Sequence, residues 1–439
     1  YRFTLPSGAN RRARVTVTNA AGFDPVLVLR DGSCTGTELA CGQTSTGTTE
    51  VVDAPDLPPG DYFVWVDAMG SGGGSFDIVL ELMTAVPPPS NDTCTAPDAL
   101  VAGVVETHST VGAADDYALA CLAFDSRDTT HQIDLASAQA TLVTLTPRAP
   151  GWQVAAALRA FTDCATGPEL SCVSAGGGIV RINRPNLQAG SYALVVDGES
   201  GASGDYDVGY EIRPADTTFG YWQIVTTGTF TSIAGTAGAT QRTIPLSTTG
   251  LSPGDEWSQN LSLPFAFDYY GTSYTSINAH SNTFLTFDVP PAGAESYNND
   301  CPLDSTAPNN LIALFWGDGI STVAAGSEMW TRVDGVMPDR RLIVEYKSWD
   351  MVTCSGPNCY LLDTRMSQQA VLYENGDIEF RYGPRTDPSG DKGCGTEHTG
   401  CASTIGIEGQ VAGATDIDQI ECDVNNTTNG RVIYFVHPR

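Results

Sequence analysis

Lysine is almost missing from this chain of 439 residues; it occurs only at Lys347 and Lys392. With 51 acidic residues against 22 basic ones, the formal charge is -29. Such a surface repels nucleic-acid phosphates and anionic lipid headgroups, so neither is an expected partner. The acidity itself reads as solubility. Histidine is scarce too, at His108, His131, His280, His398 and His437. None has the His-Glu-x-x-His spacing that lets two imidazoles one helical turn apart share a zinc ion. A Gly-x-Ser-x-Gly elbow and the Walker and dinucleotide glycine loops are also missing. "GSGGGS" at residues 70–75 has no helix after it to receive a phosphate. No stretch nears the roughly 18 apolar residues of a membrane-spanning helix. Catalysis and a direct membrane span are therefore not expected, and no catalytic residue is assigned.

Cysteine, by contrast, is plentiful and even in number, at twelve. Close pairs in loop-rich surroundings read as disulfides, hence an oxidising compartment and a secreted or cell-surface protein. The chain opens at Tyr1 without a signal peptide and is read as a piece of a longer product.

"CTGTELAC" (Cys34 to Cys41) returns as "CATGPELSC" (Cys164 to Cys172), an offset of 130 residues. At that offset "PPGDYFVWVD" (Pro58 to Asp67) matches "QAGSYALVVD" (Gln188 to Asp197), and "GGSFDIVLEL" matches "SGDYDVGYEI". A repeat of this length is one module copied. Within each copy, short runs alternate apolar and polar residues between Gly- and Pro-rich breaks, the pattern of half-buried strands. The second copy carries a lead-in with Cys94 and Cys121 that the first lacks. Tyr1 aligns with His131, so the first copy starts inside a domain, to be completed by upstream residues or by another chain.

The fold expected is all-β: tandem jelly-roll-like β-sandwich modules over 1–86 and 87–214, then a larger β-rich sandwich domain over 215–439. "VPPPSND" (Val86 to Asp92) is expected to be a stiff linker. Asn375-Gly376 predicts a type I′ hairpin turn.

On "FDPVLVLRDG", the Gly-x-Tyr strands ending at Asp67 and Asp197, and the closing "FDIVLEL" and "YDVGYEI", residues 1–213 resemble the bacterial pre-peptidase C-terminal domain family. The resemblance implies a secreted jelly-roll-like sandwich serving in substrate attachment, surface display or maturation. "LPFAFDYYGTSYTSINAHSNTFLTF" and "IALFWGD" are similar to the nidogen-type extracellular domain, with Thr283 and Leu314 in place of its usual Gly and Pro. That resemblance implies matrix-like interaction or adhesion.

The candidate sites are few. Asp197, Glu199, Asp205 and Asp207 gather hard oxygen ligands for calcium in one stretch; the competing role is a solvated turn. No other cofactor is expected. Tyr221, Trp222 and Trp330 fall near domain edges, where they are candidates to anchor a partner or a sugar ring; the competing role is to plug a core. Sequence proximity pairs Cys34 with Cys41, Cys94 with Cys121, Cys164 with Cys172 and Cys394 with Cys401, leaving Cys301, Cys354, Cys359 and Cys422 with three connectivities. A four-thiolate zinc site from Cys354, Cys359, Cys394 and Cys401 would need wider spacing than is usual.

The function expected is non-catalytic: adhesion, or assembly of a bacterial cell-surface or extracellular structure such as a filament. Its partners would be copies of itself, other surface proteins or glycans, through strand edges open to β-augmentation. The alternatives are an accessory region of a secreted hydrolase and a carbohydrate- or calcium-dependent binding module.

Overall fold

A computed structural model describes residues 1–19, 24–42, 49–70, 72–122, 126–149, 152–175, 178–199, 202–216, 218–248, 251–289, 299–301, 303, 308–355, 358–361, 365–386, 403–410, 416–422 and 428–439. Strand dominates them, joined by one 3-10 turn at Phe161–Asp163. Residues 1–215 with Arg439 form one compact unit, and residues 216–438 a second.

The first module contains β1 (Arg2–Leu5), β2 (Arg11–Asn19), β3 (Pro25–Asp31), β4 (Glu38–Gly42), β5 (Thr49–Leu57), β6 (Gly60–Ala68) and β7 (Phe76–Thr84). They form two antiparallel sheets, β1-β6-β3-β4 and β5-β2-β7. The period of two in "RRARVTVTN" turns Ala13, Val15 and Val17 inward, where they meet Leu27, Leu29, Tyr62 and Val64.

The second module repeats this plan with β8 (Asp98–Ala99), β9 (Val105–Ser109), β10 (Thr129–Leu135), β11 (Gln139–Pro147), β12 (Val154–Ala160), β13 (Glu169–Ser174), β14 (Val180–Leu187), β15 (Gly190–Gly198) and β16 (Asp205–Pro214). Its sheets run β13-β12-β15-β10-β8 and β14-β11-β16-β9. The order is that of the first module plus one strand on each sheet, and both extra strands come from the lead-in. In both copies the repeated tyrosine closes the turn before its own strand: Tyr62 and Tyr192 donate to the carbonyls of Pro58 and Gln188 at 2.6 and 2.8 Å.

The disulfides correct the pairing by proximity. Cys94 is joined to Cys164 and Cys121 to Cys172. Cys172 lies on β13 opposite Ala157 of β12, and Cys164 follows the 3-10 turn leaving β12. Both meet the lead-in where it crosses the outer face of that sheet, burying Tyr117 and Leu119 against Ala155, Ala157, Ala193 and Val195. The bonds therefore tie a crossing segment to a sheet instead of closing a small loop. Cys34 and Cys41 are exposed and not bridged to one another. Cys301 pairs with Cys422. Cys354 and Cys359 are backbone partners in an antiparallel pair; their side chains, and all of Cys394 and Cys401, lie outside the described residues.

The proline-rich segment is docked against the modules and is not a free spacer. Val86 N–H donates to the Pro55 carbonyl at 2.9 Å. Arg127 spans the two modules, donating to Ala113 O at 2.6 Å and to Asp53 O at 2.8 Å.

In the second unit, a nine-stranded sheet contains Trp222–Thr227, Arg431–Val436, Ile378–Thr386, Arg365–Tyr373, Arg341–Ser355, Glu328–Asp334 and Thr240–Arg242 in that order, with two short strands paired onto Arg341–Ser355. A six-stranded sheet runs Ser258–Tyr269, Thr272–His280, Phe284–Thr286, Leu311–Trp316, Thr404–Glu408 and Ile417–Glu421. Phe265, Phe267 and Ile277 from the smaller sheet pack with Tyr346, Trp349, Phe380 and Phe435 from the larger in one core. The hairpin at Asn375-Gly376 forms, but only Gly376 has positive φ, at 90°. The strands are joined by residues 374–377, a longer loop than the two-residue type I′ turn.

Replacing Cys94 and Cys164 together by serine removes a cross-link over a separation of 70 residues. The expected loss is about 2–4 kcal/mol of stability, measured by urea unfolding, with faster proteolysis between residues 94 and 121. An unchanged urea midpoint and digestion pattern would mean that the bond does not hold the lead-in.

Candidate functional site

Tyr221 and Trp222 are 5% and 3% exposed. Neither ring is available to a partner, which corrects their assignment as anchors. Trp222 opens a strand paired with Arg431–Val436. Tyr221 stacks edge-on to Tyr270 at 5.0 Å and to His437 at 5.5 Å. Trp330 is half-buried beside Ile233, Ile343 and Val371, with its indole N–H donated to Glu328 at 2.8 Å.

The four acids of the proposed calcium stretch are distributed over different surroundings. Asp197 lies one residue before the end of β15 and is fully buried; its Oδ1 accepts the N–H groups of Ser126 at 3.0 Å and Gly198 at 2.6 Å. Asp207 lies on β16 in the opposite sheet, where its Oδ1 takes Thr107 Oγ1 at 2.6 Å and Arg148 at 3.0 Å. Asp205 is exposed at the start of β16, and the Glu199 carbonyl accepts Ala202 N–H in a turn. The lead-in thus engages both Asp197 and Asp207 directly.

A different group of acids converges in the second unit. Asp255, Glu256 and Asp318 each bring a ligand oxygen within 4.8 Å of the others, and they are the one such set among the described residues. Asp255 and Glu256 precede the strand Ser258–Tyr269, and Asp318 follows Leu311–Trp316. Between them lies the turn after Thr272–His280. Ser281 N–H donates to Trp257 O at 2.9 Å, Asn282 donates its amide to Glu256 Oε1 at 3.0 Å, and Asn282 Oδ1 accepts Gly319 N–H at 2.9 Å. Glu256 takes a positive φ of 52° to make the approach, a conformation uncommon outside glycine. Burial, then the charges of Asp255 and Glu256, push the Asp318 carboxyl up to about 8. Burial, then Glu256, push Asp255 up to about 6. Such carboxylates are ligands of the type hard cations take.

Residues 220–434 match the family described as NIDO related. The nidogen-type resemblance of the second unit therefore holds at the level of the related family. No curated protein matches the chain. Among solved structures, the VP2 subviral particle of infectious bursal disease virus is similar at 12% identity over 47% of this chain, with a TM-score of 0.14. The match spans 58% of that chain, and at that TM-score it bears on neither fold nor function.

Two outcomes follow from these placements. Trp222→Ala removes a buried ring and is expected to cost about 3–5 kcal/mol in urea unfolding; a variant as stable as the native protein would return Trp222 to the surface. Asp318 holds its proton more tightly when folded than at its ordinary 3.8. Its contribution therefore falls as pH rises from about 4 to about 8, the folded state having to give up a proton there. Asp318→Asn should melt higher than the native protein at pH 8.5, with the difference vanishing below pH 4. Parallel melting curves for the two proteins across that range would contradict the buried acid cluster.

Proposed function

We propose that this is a non-catalytic, exported protein that works through its outer faces, in adhesion or in assembling a cell-surface or extracellular structure such as a filament. The observation that carries this reading is the NIDO-related match over residues 220–434. The disulfides tying the lead-in to the second module support an oxidising, extracellular setting. No helix among the described residues is long and apolar enough to cross a membrane. The first module also presents apolar side chains to solvent, with Trp65 at 48%, Val79 at 54% and Leu82 at 47% exposure, the kind of surface through which proteins associate.

The charge of -29 sets the condition for self-contact. Copies repel one another until salt shortens the screening distance, from about 10 Å at 0.1 M to about 3 Å at 1 M. The oxidised protein is expected to form larger particles in sedimentation as salt rises from 0.05 to 1 M, and filaments or arrays by electron microscopy, or to be retained on cells. Monodisperse single chains at every salt concentration, together with no retention on cells, would sink this reading.

A further inference from the structure

The two modules differ in one systematic way, and each difference falls where the lead-in acts. The pairing registers make Phe3 equivalent to Ile133, opposite Tyr62 and Tyr192 respectively. They also make Leu80 equivalent to Tyr210, opposite Val15 and Val143. In the second module β9 covers the outer edge of β16, and β8 that of β10. Among the described residues no strand pairs with the outer edge of β7 or of β1. Open edges of this kind are templates for another strand.

The interior shows the same gap. Between the sheets of the first module, a pocket of about 180 Å³, partly open to solvent, is lined by Tyr1, Arg2, Phe3, Val15, Val64, Ile78 and Leu80. In the second module, the equivalent Ile133, Val143, Leu194, Val208 and Tyr210 share a sealed core with Leu100 of the lead-in.

The outer face repeats the contrast. Ala155, Ala157, Ala193 and Val195 are fully buried under the lead-in. Their equivalents Val26, Val28 and Phe63 are half-buried, and Trp65 is exposed. The ion pair Arg159–Glu169 has side-chain exposures of 4% and 12%, and both partners bond the lead-in, through Ala118 O at 2.6 Å and Ala120 N at 3.1 Å. The equivalent pair Arg30–Glu38 stands at 31% and 48%. At the ends of this face, Cys164 and Cys172 are bonded to the lead-in, while Cys34 and Cys41 are exposed.

We propose that Cys34 and Cys41 are each disulfide-bonded to a cysteine of a second lead-in segment, supplied by polypeptide outside these 439 residues. That segment pairs with β7 and β1, fills the pocket with an apolar side chain and covers Trp65. The lead-in of another copy is not the occupant. Its Cys94 and Cys121 are already bonded, and its path is cut for small residues: a side chain at Gly209 would sit 2.8 Å from Val104 O, whereas the first module carries Val79 there. Each new S–S bond forms from two thiols with loss of two protons and two electrons. A low-molecular-weight disulfide or the disulfide of an oxidoreductase takes the electrons, being reduced to two thiols.

The test is disulfide mapping of the native protein. Thiols are alkylated before any reduction, the protein is digested unreduced, and linked peptides are identified by mass spectrometry. The expected result is Cys34 and Cys41 each joined to a cysteine outside the twelve of this sequence. A chain released on reduction identifies a separate polypeptide as the source; an unchanged mass on reduction identifies the same polypeptide. Backbone amides of β7 that exchange at least tenfold more slowly in the native protein than in residues 1–439 alone are the second expected reading. A Cys34–Cys41 bridge, alkylated free thiols at both positions, or pairing within the twelve overturns the proposal.

Discussion

A sheet must end somewhere, and in this protein the way each sheet ends determines most of what surrounds it. Every strand edge leaves N–H and C=O groups that need partners, and two facing sheets leave a gap at their shared rim. The second module meets both needs with one segment. Residues 91–122 place a short strand on each sheet, insert Leu100 into the core and cross the outer face, where two cystines fasten them. Two of the polar groups buried there show how they are bonded: Thr130 N–H donates to Asn91 O at 2.8 Å, and Cys94 N–H to the Tyr117 hydroxyl at 2.9 Å. The cross-links act on the unfolded chain, and the strands and apolar contacts act on the folded one; the segment is held from both sides of the equilibrium.

Among the described residues, the main core of the second unit packs without a cysteine. Its two sheets face each other through large rings whose polar tips reach across. Trp349 donates to Ser281 O at 2.7 Å, Tyr382 to Leu314 O at 2.6 Å, and Tyr269 to Leu311 O at 2.6 Å within the smaller sheet. Aromatic burial supplies the driving force, and each donor avoids the cost of an unpaired buried group. This use of aromatic side chains also explains why Tyr221 is not on the surface: it belongs to the two-sheet core and packs among its rings.

Much of this was legible because β-structure writes itself with a period of two and because a repeat fixes its own alignment. The strands of both modules, their turns and the lead-in follow from the offset of 130 residues. The cysteine pairing did not follow. Proximity along the chain favours Cys164 with Cys172, yet one follows the turn after β12, the other lies on β13, and both meet a segment that arrives from about 50 to 70 residues upstream. The acid cluster was illegible for the same reason. "PGDEW" and "WGDG" carry no ligand spacing, and Asp255 meets Asp318 only because the turn at Ser281 and Asn282 bonds to both flanking segments.

Asp67 and Asp197 show how far a matched residue can be carried from one copy to another. Both lie one residue before the end of the same strand of the repeat, and each binds the N–H of the residue after it, at 2.8 and 2.6 Å. Asp197 also takes Ser126 N–H from the lead-in and is fully buried, near Asp128, whose carboxyl burial pushes up to about 8. Asp67 has no such cover and is exposed. The same side chain in the same register is thus a buried, hydrogen-bonded group in one module and a solvated one in the other. The difference comes from a segment some 70 residues away in sequence. Equivalence of position in a repeat transfers the backbone and the inward face; the chemistry of the outward face belongs to whatever lies on top of it.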